Sequence, residues 1–350
     1  MVVQLRRVMV ARLDHLGDVL LSGPAVRAVA HSGAEVVFLA GHRGVEAAHL
    51  LDGISQVATI DAPWIDVAPR PVDRDAVDRS VDLLASLEVD EAVVLTSFHQ
   101  SALPLALLLR MAGVARIGAI SEDYPGSLLD VRISPPVGVH EVERALHVAA
   151  ACGHHLPVDD DGRLTLRDGV GTGTTARIAA DADDREVVVV HPGASVPART
   201  WSAEGFRAAA AALADSGRRV IVTGSRAEAD LVADVRGSDP RVVPMVCPSL
   251  AELADILAAA SVVVAGNTGP AHLAAAVGTP VVSIFPPTVD PVAWHPWGVP
   301  HVLLGDHTVP CRGCRARVCP LAGQPCLATL GPADVLDAVA TLAAASPVGR

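Results

Sequence analysis

Residues 262–285 read VVVAGNTGPAHLAAAVGTPVVSIF. A β-branched apolar run breaks at Gly266-Asn267-Thr268-Gly269-Pro270, an alanine-rich helix follows, and a second apolar run begins at Val281. Strand, glycine turn, helix and strand in that order make a βαβ unit, and its continuous apolar strands suit a parallel sheet covered on both faces. The turn matters as much as the strands. It puts the unpaired N–H groups and positive dipole end of a helix where Gly269 lets an anion approach the backbone closely. No lysine assists, because the 350-residue chain contains none; its fixed positive charge is all arginine.

The same alternation extends in both directions. Toward the N-terminus of this second half, strands are expected at 186–193, 218–225 and 261–267. Helices are expected at 202–217 and 249–260, with Ser202 and Ser249 as N-caps. In the first half, strands are expected at 7–13, 34–41, 91–97 and 115–120. A helix begins at Pro24 after a DHLGD turn, and another over 142–153 ends at Gly153. Between the halves, 156–186 is acidic and glycine-rich, with no sustained periodicity. Its GVGTG follows no convincing strand and is not a dinucleotide loop. The expected organisation is therefore α/β, with two doubly wound, Rossmann-like domains facing a cleft. These are residues 1–160 and 186–350, joined by a linker at 161–185.

Composition narrows the function. Half of the residues are apolar but only 3% are aromatic, so the cores are aliphatic. A formal charge of −12 makes a nucleic-acid partner improbable, and any anionic ligand must be held locally. The N-terminus is broken by Arg12, Asp14 and Asp18 and is no secretory signal. The longest uncharged apolar stretch, SALPLALLL (101–109), is too short to span a bilayer. A cytoplasmic protein is expected, with peripheral contact to a membrane surface left open. A P-loop kinase is excluded for want of its lysine.

The chemistry-bearing residues lie in turns after strands. HPGASVPARTW (191–201) offers Ser195, backbone amides and Arg199, whose fork can clamp a diphosphate. GSRAEAD (224–230) offers Glu228 for ribose hydroxyls, against the alternative of a helix-face charge. In the first half, RLDHLGDVLLSGP offers Asp18, which could take a proton from a hydroxyl or simply favour a helix N-terminus. Asp14 and His15 are weaker candidates there.

Taken together, GDVLLSGPAV (17–26), SALPLALLLRMAGVARIG (101–118), HPGAS…RTW (191–201), GNTGPAHLAAAVGTPVVSIF and PPTVDP (286–291) resemble glycosyltransferase family 9, the heptosyltransferases. The resemblance covers nearly the whole chain and implies a GT-B fold. It also implies metal-independent, inverting transfer of a heptose from an ADP-sugar to an acceptor hydroxyl, with no cofactor. Carried onto this sequence, it implies Asp18 as general base and Arg199 as stabiliser of the leaving diphosphate. Thr268 and Gly269 would hold phosphate, Glu228 the ribose, and Ser195 and Thr288 would assist. Asn267, Pro270 and His272 complete the donor side, while Arg12, His15 and Gly17 are acceptor-side candidates. The chain departs from the pattern at Arg199, where lysine is usual, at Asn267, where aspartate is common, and at Pro286. Donor identity is thus less certain than reaction class. The acceptor implied is a lipopolysaccharide-core sugar, another glycan or a small natural product. A sugar-nucleotide epimerase and a non-catalytic binding protein are the alternatives.

Six cysteines occur, with Cys152 and Cys247 expected as buried singletons. The other four follow the spacing Cys311-x2-Cys314-x4-Cys319-x6-Cys326, open to a structural zinc or to free or paired thiols. Arg312, Arg315 and Arg317 make the same segment locally basic.

Overall fold

The computed structural model describes residues 6–66, 68–172, 185–247 and 249–345. The packing divides the chain into two units, Met1–Asp168 and Gly169–Arg350, each taken here by itself.

The first unit runs β1 (Arg7–Arg12), α1 (Leu16–Leu21), α2 (Gly23–His31), β2 (Glu35–Gly41), α3 (Val45–Ala48), β3 (Gln56–Ile60), α4 (Arg74–Ser86), β4 (Glu91–Val94), α5 (Leu103–Met111), β5 (Arg116–Ile120), β6 (Val131–Ile133) and α6 (Glu141–Ala151). Its six strands pair in parallel in the order β3-β2-β1-β4-β5-β6. Strand β1 is held on both sides, with Val10 opposite Phe38 of β2 and Val93 of β4. All three side chains are fully buried, as covered parallel strands require. Gly153 closes α6 at φ +95°, a backbone region that disfavours any residue with a Cβ.

The second unit runs β7 (Val187–His191), α7 (Ala203–Asp215), β8 (Arg219–Gly224), α8 (Ala229–Arg236), β9 (Val242–Val246), α9 (Leu250–Ala258), β10 (Val262–Gly266), α10 (Gly269–Ala276), β11 (Val281–Ile284), α11 (Pro291–Trp294), β12 (His301–Leu304) and α12 (Pro332–Ala345). Its sheet order is β12-β11-β10-β7-β8-β9, again all parallel. Read from the other edge, this is the order of the first sheet. Ser202 and Ser249 cap α7 and α9, accepting from the N–H groups of Gly205 and Glu252. Val188, Val190, Phe206, Leu213, Val264 and Val339 lie in its core. Burying each such side chain contributes about 1.5–3 kcal/mol.

Two readings change. DHLGD is not a turn before a helix at Pro24. Its Leu16, Gly17 and Asp18 already belong to α1, because Asp18 accepts a hydrogen bond from the His15 N–H and closes the helix start. The stretch 161–167, expected as linker, is tied to the first unit. The Arg27 guanidinium, which also grips Asp160, donates to the Arg163 carbonyl and the Thr165 hydroxyl, each at 2.8 Å, and Arg167 N–H donates to the Leu50 carbonyl. Residues 173–184 of the expected linker lie outside the described residues. Among the described residues, no helix is long and apolar enough to cross a membrane.

Candidate functional site

In sheets of this order, ligands bind beyond the carboxyl ends of the two strands where the winding reverses. Those strands are β1 and β4 in the first unit, β7 and β10 in the second.

At the end of β1 the chain places Arg12, buried to 2% exposure. Its Nε lies 2.6 Å from Asp14, and its Nη2 reaches Asp18 at 3.1 Å, Glu141 at 3.1 Å and the Ser97 hydroxyl at 2.8 Å. Burial opposes the guanidinium charge, but Asp14, Glu141 and Asp18 more than offset it and raise its pKa. Gln100 donates to Asp14, and Arg144 donates to the Thr96 carbonyl at 3.2 Å. The cluster therefore joins the ends of β1 and β4 to the first turn of α6.

Asp18 stands at its edge, with 17% of the side chain exposed. Burial first, and then the negative charge of Asp14, push its pKa up to about 7. Arg12 and the His15 N–H pull the other way, while Glu141 adds to the rise. A carboxylate poised near neutrality can accept a proton efficiently at working pH. Arg12 is occupied by its carboxylates and Ser97, so it orients Asp18 rather than reaching outward. His15 is the residue before α1, and Gly17 lies in its first turn. Ser97, Gln100, Glu141 and Arg144 did not emerge from the sequence. Glu141 resembled an ordinary acidic helix opening, and only the fold carries it to Arg12.

At the ends of β7 and β10 the arrangement is different. Thr268 precedes α10 and Gly269 opens it, and neither N–H has a hydrogen-bond partner among the described residues. Pro270, in that first turn, has no N–H to leave unpaired. Arg199 closes a short 3-10 turn (Pro197–Arg199). A Cβ on Gly266 would lie 3.4 Å from the Arg199 carbonyl oxygen, an ordinary contact distance, so that turn packs against the end of β10. His272 is pushed down to about 4 by burial, then by the charges of His295 and Arg199, and is neutral at physiological pH.

Three side chains here are buried with a polar atom unmatched: Asn267 Nδ2, His272 Nδ1 and Thr288 Oγ1. Such atoms are rare in folded proteins and call for a physical account. Nearby, Glu228 accepts from the Ser225 N–H and hydroxyl, each at 2.8 Å. Burial works against its ionisation, but those bonds and His191 outweigh it, and its pKa falls below the usual value. Gly193 is required beside it, because a Cβ there would come within 2.0 Å of Glu228 Oε1. Ser195 is exposed on the same loop.

The cysteine segment braces these loops. The Ala198 N–H donates to the Arg317 carbonyl at 2.9 Å, and Gln324 Nε2 donates to the Ala198 carbonyl at 2.8 Å. The N–H groups of Gly313 and Arg315 donate to the carbonyls of Pro287 and Thr288. Burial, and then the neighbouring thiols, raise the Cys326 pKa, yet Cys314 is exposed while Cys326 is buried. Among the described residues no group of three or more His, Cys, Asp or Glu is arranged to hold a metal ion. None of the six cysteines forms a disulfide, and Cys152, Cys247 and Cys326 are buried.

Residues 83–324 match glycosyltransferase family 9 (heptosyltransferase). Lipopolysaccharide heptosyltransferase 1 of Pseudomonas aeruginosa is 30% identical over 242 residues, 66% of this chain and 64% of that protein. The matched region thus spans less than two thirds of that relative. In fold, the chain is similar to a family 9 glycosyltransferase from Veillonella parvula, with TM-score 0.75, 16% identity and 99% of each chain covered. It is also similar to an E. coli heptosyltransferase with ADP-2-deoxy-2-fluoro heptose, with TM-score 0.69 and 18% identity over 96% of this chain and 99% of that one. The two all-parallel six-stranded sheets are those of the GT-B fold, and the chain belongs to glycosyltransferase family 9, the heptosyltransferases.

Proposed function

We propose that this protein transfers a sugar from a nucleoside-diphosphate donor, ADP-heptose in the simplest case, to an acceptor hydroxyl with inversion and without a metal. The observation that carries the donor half is the set of unmatched polar atoms on Asn267, His272 and Thr288 beside the unpaired N–H groups of Thr268 and Gly269. A diphosphate supplies the acceptors those donors lack, and Arg199 supplies the compensating charge. Glu228, held ionised, suits two ribose hydroxyls. The E. coli heptosyltransferase with its fluorinated ADP-heptose supports the adenine nucleotide.

For the transfer itself, Asp18 accepts the proton of the acceptor hydroxyl as that oxygen bonds to the anomeric carbon. The bond from that carbon to the diphosphate oxygen breaks on the opposite side. Negative charge then gathers on the departing diphosphate, where preorganised N–H groups and a guanidinium lower the barrier most. Isothermal titration with ADP, UDP and GDP tests the donor: ADP is expected to bind at least tenfold more tightly. A preference for UDP or GDP would overturn the heptose assignment. Product anomeric configuration, and turnover in excess EDTA, test inversion and metal independence.

A further inference from the structure

The sequence of α5 carries more apolar surface than the core uses. Leu105, Ala106 and Leu109 are buried in the first unit, as one helical stripe should be. On the opposite side, Pro104, Leu107 and Met111 repeat at helical spacing, and Leu107 and Met111 are 49% and 54% exposed, while Leu108 between them is buried in the core. It faces a groove of about 790 Å³ whose other wall is α4, including Ala76 and Leu83, with Trp64 from the loop after β3. That volume falls within the range of small-molecule sites. The formal charge of the lining is balanced, since Arg43, Arg70 and Arg79 are matched by Asp61, Asp66 and Asp73. The groove shares part of its wall with a second cavity nearer Asp18. His42, Arg43, Ile60 and Asp66 also line a smaller recess together with Asp14 and His15, the residues beside Asp18.

We propose that this groove binds the apolar body of the acceptor, an alkyl chain or aromatic ring system without net charge, while the acceptor hydroxyl is presented at the Asp18 end. The identification of the occupant as acceptor rests on the transferase reading. Its concavity favours a small molecule over a flat membrane surface. Its charge balance favours an uncharged body over an anionic glycolipid headgroup. Continuity with the Asp14–His15 recess makes it a substrate groove rather than a remote crevice.

The test uses the full-length protein and an uncharged fluorescent probe, N-phenyl-1-naphthylamine, displaced by methyl, hexyl and octyl β-D-glucopyranosides below their micelle concentrations. Saturable probe binding is expected, with competition strengthening about two- to fourfold per added methylene. Leu107→Gln and Met111→Gln change exposed side chains outside the reacting groups. Each is expected to weaken probe binding at least fivefold and to leave Tm and ADP affinity unchanged. Displacement independent of chain length, or probe binding in both variants equal to that of the parent, would overturn the proposal. So would co-sedimentation with phosphatidylcholine vesicles in the absence of saturable probe binding, because that result makes the face a membrane contact. ADP binding separates the two readings. If ADP binds and the glycosides do not, the groove assignment alone fails. If ADP does not bind, the acceptor role is withdrawn along with the transferase reading.

Discussion

The two sheets have one strand order and present their loops at the same reversal of winding, yet their polar residues are arranged in opposite ways. In the first unit charge is saturated: one buried guanidinium meets Asp14, Asp18 and Glu141, and Ser97 takes a further bond. Burial, and then the surplus of carboxylate, raise the Asp18 pKa to about 7. In the second unit hydrogen bonding is deficient, with buried donors around Thr268 and Gly269 left unmatched. On the proposed reading, saturation tunes a proton acceptor and deficiency prepares a place for an anion. A single scaffold does both because its sheet fixes where loops emerge and leaves their chemistry free.

Asp18→Asn should break the contrast most severely. Transfer is expected to fall by at least a thousandfold, with ADP affinity within twofold of the parent by calorimetry. The same change should stabilise the protein. A carboxyl raised from 3.8 to about 7 favours folding fully only below pH ~4 and loses that contribution as pH climbs through 7. Asparagine has no charge to desolvate. The Tm advantage of the variant is therefore expected to grow from pH 5 to pH 8, by several degrees. A flat Tm difference would mean that Asp18 is not strained in the fold.

Arg199→Ala comes next, with ADP affinity reduced ten- to a hundredfold and kcat lowered as well. Arg199→Lys should recover part of the binding, because charge survives while the fork is lost. Glu141→Gln sharpens the first half. Removing its charge takes away one influence that raises Asp18, so the limb of log kcat/KM against pH should move to lower pH. An unmoved limb would detach Glu141 from the proton acceptor. The smallest effect is expected for Gln324→Ala, which deletes one bond to the Ala198 carbonyl. Donor KM should rise about two- to fivefold, with kcat and Tm little changed.

The sequence disclosed the interior of each sheet and missed its borders. The strands not anticipated are β3, β6, β9 and β12, which are the edges of the two sheets. Interior strands, buried on both faces, read as unbroken apolar runs. The edges are short or half exposed, and β9 even carries Pro244, which removes a donor that a central strand would need. The donor turn was legible for the same reason, since Gly266–Pro270 follows an interior strand directly. The charge cluster was not. Its members Arg12, Ser97 and Glu141 are far apart in the chain, and nothing local distinguishes Glu141 from any other acidic helix opening.

One consequence follows from the bracing of Ala198, Pro287 and Thr288 by the segment that bears Cys311, Cys314 and Cys319. The backbone that holds Arg199 and Thr288 in position inherits whatever shape those thiols impose. A preparation's handling history thus becomes a kinetic variable. Batches stored with and without reductant should differ in apparent donor affinity while remaining equally folded, and fresh dithiothreitol should bring them back together.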